Sequence, residues 1–592
     1  MWACLLGELP GSFIVFQGEA IFPAMEAEIG LIFLEVCMLE IKNVGIRLSV
    51  NDRVLVEDFS FTLHGGDKAV IIGEEGNGKS TLLKMIYDEE CIAGYCQYDG
   101  QIIRKGSLAY LPQLFPEGEL DCCLEEYFAD AEFHQHVQLL ARLGLTLDFV
   151  MSRQVIRTLS GGEKIKIQLA KIMMAEPDVI LLDEPTNDID IAALEWLEGF
   201  INSCRKPVLF ISHDETLIEN TANVIIHMEQ LVRKTKSKIT VSYSGYAKYV
   251  KARGLAYDKQ MMVAKKQRSD HKAQMQRWQQ IHDRVEHDQG AISRDDPATG
   301  RLLKKKMKAV KSTGRRLDKQ AEDFMDIPQM EEAILTQFDP AVTLPQGKMV
   351  LSLSLDGLWV GEECSLGNVI QGVGEGCSAE DVKRDESAER EPLTGRHLPE
   401  ISESKVGRRQ LSGPLTLDVY GPRRIGITGR NGAGKSTLLK KICEELRERK
   451  DITAAYMPQD YTEVLDYGQP VIDFLAADSH KDTITKVRTF LGSMKFTHDE
   501  MLGKIGKLSG GQKAKILFLD MVLKGTNVLV LDEPTRNFSP LSAPEIRKTL
   551  VKFGGAIISV SHDRKYLDEV CDEVYELTED GITTSHYPPK VT

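Results

Sequence analysis

The sequence predicts an α/β chain made of two repeated phosphate-binding domains joined by a long basic helical hairpin. The first observation is a glycine-rich phosphate-loop motif that occurs twice, each time between a strand-like and a helix-like run. The second is length, because 592 residues exceed what one hydrophobic core supports. The third is a concentration of basic residues between the two copies, in a chain whose net charge is -15.

Composition places the chain among globular proteins, with 42% hydrophobic and 27% charged residues. Its eleven cysteines are scattered without CxxC pairs, which predicts reduced thiols and a cytoplasmic location. Glutamates interrupt the apolar patches before Met38, so no signal peptide or spanning helix is predicted there. We expect residues 1–37 to be an N-terminal extension or the product of a mis-assigned start. No other stretch reaches spanning length, and no membrane domain is predicted.

Residues 73–80 read GEEGNGKS and residues 429–436 read GRNGAGKS. Strand-like KAVII and RRIGIT precede them, and helix-like TLLKMIY and TLLKKIC follow. In such a loop, glycines let backbone N–H groups surround phosphates at a helix N-terminus, while the lysine reaches the β- and γ-phosphates and the serine binds Mg²⁺. The predicted nucleotide-binding residues are Gly73, Glu74, Glu75, Gly76, Asn77, Gly78, Lys79, Ser80 and Thr81, and Gly429, Arg430, Asn431, Gly432, Ala433, Gly434, Lys435, Ser436 and Thr437.

Two further runs, VILLDEP at 179–185 and VLVLDEP at 528–534, are typical of buried parallel strands that end in paired acids. The first acid of each pair stands where a metal or its water is held. The second stands where a carboxylate can orient an attacking water. The predicted pairs are Asp183 with Glu184 and Asp532 with Glu533.

The motifs LSGG and SHD are weak signals alone, but both recur at fixed spacing. Ser160 to Asp183 and Ser509 to Asp532 each span 23 residues, and each aspartate precedes its histidine, His213 or His562, by 30. A domain duplicated with an offset of 349 residues explains these spacings. Serine before the two glycines is also a plausible helix cap.

With YLPQ and YMPQ between the phosphate loop and LSGG, the order of motifs resembles that of ATP-binding cassette (ABC) ATPases. In that family two cassettes close head to tail, so each ATP lies between the P-loop of one and the LSGG signature of the other. The resemblance implies ATP and Mg²⁺ as cofactors. It implies catalytic roles for Glu184, Glu533, His213, His562, Gln113 and Gln459; metal ligation by Ser80, Gln113, Asp183, Ser436, Gln459 and Asp532; and signature contacts from Ser160, Gly161, Gly162, Ser509, Gly510 and Gly511.

Two departures from the family pattern predict unequal sites. No aromatic residue for stacking on adenine stands near Val50, whereas Trp359 is a candidate in the second copy. After DEPT the first copy reads NDID and keeps Asp190, while residues 536–542 read RNFSPLS and lack it. Both glutamates and both histidines are present, so we expect both sites to hydrolyse ATP.

Between the copies, residues 246–320 carry 20 Lys and Arg against 8 Asp and Glu. Residues 246–287 favour a long helix, and Asp296 and Pro297 suit the cap and first residue of a second helix that ends near Asp326. A basic face there suits phosphate backbones, although a solvated face is the alternative. Tyr257, Trp278 and His282 either stack on bases or pack the two limbs, and packing is favoured. The predicted RNA-binding residues are Arg301, Lys304, Lys305, Lys308, Lys311, Arg315 and Lys319.

Tandem cassettes with such a linker and no membrane domain resemble the ABC-F proteins over residues 38–592. The resemblance implies a ribosome partner, with the linker near the P-site tRNA and the peptidyl-transferase centre. Translation regulation and antibiotic resistance by ribosome protection both stay open. We expect tRNA and rRNA contacts, no membrane or DNA partner, and a monomer that closes intramolecularly. The alternatives are an ATP-binding subunit of a membrane transporter, a DNA-maintenance ATPase, and an ABC-E relative, which would need Fe–S cysteines.

The predicted domains follow from these motifs. We expect the first ABC domain at residues 38–242, the hairpin linker at 243–327 and the second ABC domain at 328–592. A segment rich in Gly, Ser and charged residues at about 362–408 predicts a disordered surface insertion within the second domain.

Overall fold

The computed structural model of the chain describes residues 37–50, 52–129, 136–231, 236–290, 297–322, 324–325, 338, 340–359, 410–476 and 480–584. These residues form two α/β cassettes built on one plan and a hairpin of two long helices. We refer to residues 37–242 as the first cassette, to 340–584 as the second cassette and to 246–325 as the hairpin. The predicted extension before Cys37 and the predicted insertion at about 362–408 lie outside the described residues.

The first cassette contains a large sheet and a small antiparallel sheet. Its strands are β1 (Cys37–Leu48), β2 (Val54–His64), β3 (Lys68–Ile72), β4 (Cys96–Arg104), β5 (Leu108–Leu111), β6 (Val179–Asp183), β7 (Val208–Ile211), β8 (Val224–Gln230) and β9 (Lys236–Ser242). The large sheet has the order β5-β6-β7-β3-β8-β9, parallel except for β9. The small sheet has the order β2-β1-β4.

The second cassette repeats the topology of the large sheet. Its strands are β10 (Met349–Leu355), β11 (Leu358–Trp359), β12 (Gln410–Ser412), β13 (Leu415–Tyr420), β14 (Arg424–Thr428), β15 (Ala454–Met457), β16 (Val528–Asp532), β17 (Ala556–Val560), β18 (Glu573–Thr578) and β19 (Gly581–Thr584). Outside the large sheet, its described strands form two antiparallel pairs, β10-β13 and β11-β12. The large sheet has the order β15-β16-β17-β14-β18-β19. The equal strand orders confirm the α/β fold class and the internal repeat that the motif spacing predicts.

Helices pack on the sheets. In the first cassette they are α1 (Lys79–Tyr87), α2 (Glu90–Ala93), α3 (Glu117–Leu120), α4 (Leu124–Tyr127), α5 (Val137–Arg142), α6 (Leu147–Val150), α7 (Gly161–Met174), α8 (Ile191–Ser203) and α9 (Glu215–Thr221). The hairpin consists of α10 (Tyr246–Gly290) and α11 (Pro297–Glu322). The second cassette adds α12 (Lys435–Arg447), α13 (Val471–Leu475), α14 (Lys481–Ser493), α15 (His498–Leu502), α16 (Gly510–Leu523), α17 (Ala543–Val551) and α18 (Arg564–Val570).

Strands β3 and β6 show why the phosphate loop and the acid pair lie together. Both are apolar runs whose every residue is buried, as expected of parallel strands covered on both faces. Strand β7 lies between them and is parallel to both. Because parallel strands end at the same edge, the loop after β3 and Asp183 at the end of β6 reach one edge of the sheet.

The hairpin limbs are held together by their apolar faces. Val285 of α10 packs with Leu303 and Met307 of α11. The indole Nε1 of Trp278 donates a hydrogen bond to the carbonyl of Val310 at 2.8 Å, and a Cβ placed on Gly314 would lie 2.9 Å from the indole ring. The prediction that Trp278 packs the limbs is therefore confirmed, and Gly314 provides the space for its ring.

The hairpin bounds differ slightly from those predicted. Helix α10 extends to Gly290, and α11 begins at the predicted Pro297 but ends at Glu322, earlier than Asp326. The early end has a structural reason, because Phe324 and Met325 contact α10 and do not continue the helix. Phe324 contacts the His271 ring at 5.2 Å, and the backbone N–H of Met325 donates to Gln267 at 2.9 Å.

The described part of the chain contains no candidate membrane-spanning helix and no disulfide. None of the helices described there combines the length and apolar character needed to cross a bilayer. The cysteines described are free thiols, whereas Cys4, Cys364 and Cys377 lie outside the described residues.

We expect Gly314→Leu to separate the hairpin limbs, because its side chain would enter the space of the Trp278 ring. Gly254→Leu is the matched control, since a Cβ at Gly254 has no neighbour within 4 Å and both changes gain the same helix propensity, about 1 kcal/mol. Hydrogen exchange of α11 amides measures the effect. Equal protection in the two variants would contradict the assigned packing.

Candidate active sites between the cassettes

The two P-loops have the same backbone and differ in side chains. Gly78 and Gly434, which directly precede α1 and α12, have φ of 89° and 94°, a region that favours glycine. Gly76 and Gly432 also have positive φ, and a Cβ there would have no neighbour within 4 Å. The N–H groups of such a turn before a helix form a concave donor surface suited to phosphate.

Both P-loop lysines are buried and fold back over their own loops. Lys79 Nζ donates to the carbonyls of Gly73 at 2.9 Å and Glu74 at 3.1 Å. Lys435 Nζ donates to the carbonyls of Gly429 at 2.8 Å and Arg430 at 3.0 Å. Burial lowers the pKa of Lys435. Each ammonium therefore lies within the concave surface that a phosphate chain would fill.

Site A, which we define as residues 73–80 with 509–511, combines the first P-loop with the second signature. The carboxylate of Glu75 accepts a hydrogen bond from the backbone N–H of Gly511 at 2.7 Å, across the cassette interface. A cleft of about 670 Å³ lies beside this contact. Arg53, Glu75 and Gly76 line it from one cassette, and residues 497–500, 507–509 and Gln512 line it from the other.

Site B, defined as residues 429–436 with 160–162, combines the second P-loop with the first signature. The Asn431 side-chain amide donates to the carbonyl of Asp188 at 2.6 Å. That carbonyl is packed on the signature, because a Cβ added to Gly161 would lie 2.0 Å from it. The structure thus brings each P-loop against the opposite cassette, in the head-to-tail order that the resemblance implies.

The signature serines serve as helix caps, as predicted. Ser160 caps α7 and Ser509 caps α16, each in a reciprocal capping box with the residue three positions later, Glu163 or Gln512. Capping leaves the following N–H groups at the helix N-terminus directed outward, where the helix dipole favours an anion.

Of the six predicted metal ligands, Ser80 lies with Asp183 at the end of β6 and Ser436 with Asp532 at the end of β16. Gln113 instead bonds Glu184, and Gln459 is exposed. Ser80 Oγ donates to one Asp183 carboxylate oxygen at 2.8 Å, and the Tyr110 hydroxyl donates to the other at 2.8 Å. Ser436 is hydrogen-bonded to Asp532, whose Oδ2 is buried without a hydrogen-bond partner among the described residues. Hydroxyl and carboxylate oxygens are ligands that Mg²⁺ prefers, so the residues present fit this ion.

Glu184 has three side-chain donors in site A. Gln113 donates to it at 2.7 Å and Asn187 at 2.8 Å, while His213 Nε2 lies 3.3 Å from its other oxygen. Burial alone would raise the pKa of Glu184, but hydrogen bonding and attraction to His213, with Lys79 nearby, hold that pKa at about 2. Glu184 is therefore an ionised acceptor in a fixed orientation.

Glu533 has a different environment in site B. Burial and the neighbouring Asp532 raise the pKa of Glu533, and its Oε1 has no hydrogen-bond partner within the described residues. His562 Nε2 lies 3.8 Å away, and burial lowers the pKa of His562 to about 3. Arg536 stands where site A has Asn187, and it pairs with Asp188 of the first cassette at 2.8 Å. The two sites, which the sequence predicts to be unequal, therefore differ in the hydrogen bonds and ion pairs around their glutamates.

Comparison with known proteins agrees with this architecture. The sequence profile of the family described as ABC transporter matches residues 56–187 and 413–536. The chain is 27% identical to a probable ATP-binding cassette sub-family F member 3 homolog of Encephalitozoon cuniculi, covering 92% of this chain and 81% of the relative. It is 25% identical to the probable ATP-binding protein YheS of Escherichia coli K12 (91% and 78%) and to human ATP-binding cassette sub-family F member 3 (92% and 72%). The chain is an ABC-F ATPase.

Solved structures show the same fold at low sequence identity. The structure titled RNase-L Inhibitor matches with a TM-score of 0.50 at 14% identity, covering 91% of this chain and 90% of that one. An archaeal ABCE1 in complex with the stalk protein aP1 matches with a TM-score of 0.51 at 15% identity, covering 92% and 90%. These likenesses support the arrangement of two cassettes in the ABC-F ATPase.

Several site features of this ABC-F ATPase were missed by sequence reasoning. Arg53 donates to the carbonyl of Gly76 at 3.1 Å and lines the site A cleft, whereas Val50 is 92% exposed. No motif indicates Arg53. Asp190 has no aspartate counterpart in the second copy. Its carboxylate caps α8 by accepting a hydrogen bond from the backbone N–H of Ala193 at 2.9 Å. Gln459 is exposed.

We expect Glu184→Gln combined with Glu533→Gln to reduce ATP hydrolysis at least about 100-fold and to leave ATP binding intact, because an amide does not accept the proton of an attacking water. Phosphate release and equilibrium nucleotide binding measure the two effects. Glu57→Gln, at an exposed position on β2, is the matched control. Full hydrolysis by the double variant would refute the assignment of both glutamates.

We expect Asp183→Asn to raise the Mg²⁺ concentration needed for half-maximal hydrolysis at site A by about tenfold or more, because the amide removes the negative charge beside Ser80. The measurement is a Mg²⁺ titration in a Lys435→Ala background, which leaves only site A active. An unchanged Mg²⁺ requirement would show that Asp183 does not hold the ion.

Proposed function

We propose that the protein is a cytoplasmic ATPase that binds the ribosome when ATP closes its cassettes and leaves after hydrolysis, with the hairpin against tRNA and rRNA near the P site. Its effect would be translation regulation or protection of the ribosome from an antibiotic. The single observation that carries the proposal is the exposed basic face of α11, on a hairpin that projects from the cassettes. The alternative is an ATP-binding subunit of a membrane transporter.

Helix α11 has two distinct faces. Leu303, Met307, Gly314 and Leu317 are buried at spacings of three, four and seven, and they face α10. The predicted RNA-binding residues are exposed on the remaining surface: Arg301, Lys304, Lys305, Lys308, Lys311, Arg315 and Lys319. Among the residues that the structure describes, no ion pair neutralises these seven cations. They are therefore available to phosphate groups.

The shape and charge suit a nucleic acid better than a membrane coupling surface. Helix α10 has 45 residues, which extend about 70 Å at about 1.5 Å per residue. A row of exposed cations gains affinity by releasing counterions from phosphate backbones, and this affinity falls with salt. The chain as a whole is acidic, so the basic charge is localised on the hairpin.

The foot of the hairpin connects its position to cassette closure. The Tyr249 hydroxyl is hydrogen-bonded to His227 at 2.8 Å, and Arg253 pairs with Glu229 at 2.8 Å, which ties α10 to the first cassette. The Tyr246 hydroxyl donates to the carbonyl of Pro540 in the second cassette at 2.9 Å. Opening of the cassettes would break this last contact, so nucleotide state and hairpin position are linked.

The chemistry would follow the positions of the site residues. Glu184 would orient a water for in-line attack on the γ-phosphorus, and His213 would hold Glu184 in place. Lys79 would bind the β- and γ-phosphate oxygens as charge develops on them. Mg²⁺ bound by Ser80 and Asp183 would neutralise part of that charge. ADP and phosphate would then leave, and the cassettes would lose the anion that draws them together.

The test is co-sedimentation with ribosomes, using the Glu184→Gln, Glu533→Gln variant as an ATP-bound trap. We expect pelleting in ATP and not in ADP. Changing Lys304, Lys305, Lys308 and Lys311 to Gln should weaken pelleting by about tenfold or more and reduce its salt dependence, because four phosphate contacts are lost.

The control variant changes four exposed lysines of the second cassette, Lys450, Lys481, Lys486 and Lys552, to Gln. It alters net charge equally and should pellet like the parent. Equal loss in both sets would mean that net charge alone drives binding. Absence of pelleting at low salt would reject the ribosome partner and favour the transporter alternative, to be followed by capture of a membrane partner.

A further inference from the structure

The two P-loops differ at the two positions that follow their first glycine. The first loop has Glu74 and Glu75, and the second has Arg430 and Asn431 at the equivalent positions. Carboxylates are unexpected in a loop that binds a polyphosphate, because like charges repel. The contacts of these two glutamates show what they do instead.

The Glu75 carboxylate binds a backbone N–H group of site A that is suited to binding an anion, that of Gly511. Gly511, whose N–H donates to Glu75 at 2.7 Å, lies in the first turn of the 14-residue helix α16. An N–H group there combines an unsatisfied donor with the positive end of the helix dipole, and an anionic acceptor makes a strong hydrogen bond to it. In site B the equivalent Asn431 is a donor and bonds the Asp188 carbonyl, leaving the signature donors of α7 to another acceptor.

Glu74 anchors the same loop across the interface. Its carboxylate accepts from the hydroxyl of Ser539 at 2.8 Å and from the hydroxyl of Ser542, and it lies 3.9 Å from Lys515 Nζ. Burial would raise the pKa of Glu74, but Lys515 and the two hydroxyls outweigh it, and the pKa is lowered. Glu74 is thus an ionised group whose two hydroxyl donors and nearby Lys515 belong to the second cassette, with Lys79 of its own cassette adding to the attraction.

The loop that faces each P-loop from the opposite cassette carries side chains that complement the charge of that P-loop. Ser539 and Asp190 occupy equivalent positions, each seven residues after the strand-end aspartate. Serine at 539 donates to Glu74, where a carboxylate would repel it. On the other side, Asp190 attracts Lys435 of the second P-loop. The acidic P-loop and the serine loop therefore form one complementary contact that the other interface does not share.

We propose that the Glu75 carboxylate competes with the terminal phosphate of ATP for the Gly511 N–H, so that site A discriminates against ATP relative to ADP while site B does not. ADP lacks the terminal phosphate and leaves the Glu75 contact in place. ATP must displace it. The inference rests on the nucleotide sites of the proposed function and not on the hairpin or its RNA partner.

The experiment measures the affinity of full-length protein for ADP and for the β,γ-imido analogue of ATP by calorimetry, in a Lys435→Ala background that restricts binding to site A. Glu75→Asn, which copies Asn431, should raise affinity for the analogue about tenfold, the effect of one charge-assisted hydrogen bond regained by the ligand. Affinity for ADP should change less than about twofold. Glu75→Gln removes the charge with the side-chain length kept and should act in the same direction.

Two controls separate this effect from a general change of charge. Glu57→Gln, remote from both P-loops on exposed β2, should leave both affinities unchanged. The reciprocal Asn431→Glu in a Lys79→Ala background should weaken the analogue at site B about tenfold and spare ADP. Thermal unfolding of every variant checks that the fold is intact.

Each outcome decides the inference. A selective gain for the analogue supports it. An equal gain for both nucleotides, or no gain in either Glu75 variant, overturns it and leaves the nucleotide sites themselves unaffected. If the Lys435→Ala protein with Glu75 unchanged binds neither nucleotide although it is folded, both this inference and the proposed function fail.

Discussion

The contact that the rest of the molecule depends on is the ion pair of Arg547, buried between the cassettes. Its guanidinium, 3% exposed, donates to Glu215 of the first cassette at 2.7 Å and to Glu569 of its own at 2.8 Å. A buried charge is costly unless it is paired, and a closed arrangement in another register would separate Arg547 from Glu215 and leave it only partners of its own cassette, such as Glu569. The Arg547–Glu215 pair therefore favours the head-to-tail order of the cassettes, in which each nucleotide site is composed of both.

The same region joins the hairpin to the sites. Glu215 also accepts from the hydroxyl of Tyr246, the first residue of α10, at 3.4 Å. In the loop after the second acid pair, the carbonyl of Phe538 is hydrogen-bonded to His213 Nδ1 at 2.9 Å. The carbonyl of Pro540 in the same loop accepts a hydrogen bond from the Tyr246 hydroxyl. One loop of the second cassette therefore contacts both the histidine beside Glu184 and the foot of the hairpin. This loop therefore connects the surroundings of Glu184 to the start of a helix about 70 Å long.

The parts of this structure that the sequence predicts are those with local causes. Strands β3 and β6 are read from continuous apolar runs, and the P-loop turn from glycines that need positive φ. The spacing of the repeat locates the signatures and histidines. The parts that could not be predicted depend on distant partners. Glu184 and Glu533 follow identical motifs, yet their environments differ because Asn187 bonds Glu184 while Arg536 turns to Asp188.

Those differences between the copies are coordinated across the interface. A duplicated domain that closes on itself places each P-loop against the partner's loop, so a changed charge on one side favours a matching change on the other. The acidic first P-loop meets serines, whereas the second P-loop, with Arg430 and a buried lysine, meets a loop that keeps Asp190. Glu533 lacks the donors that fix Glu184. The two sites therefore differ both in the contacts that close them and in the environment of the glutamate after the strand-end aspartate, so the duplicated motifs do not make them equivalent.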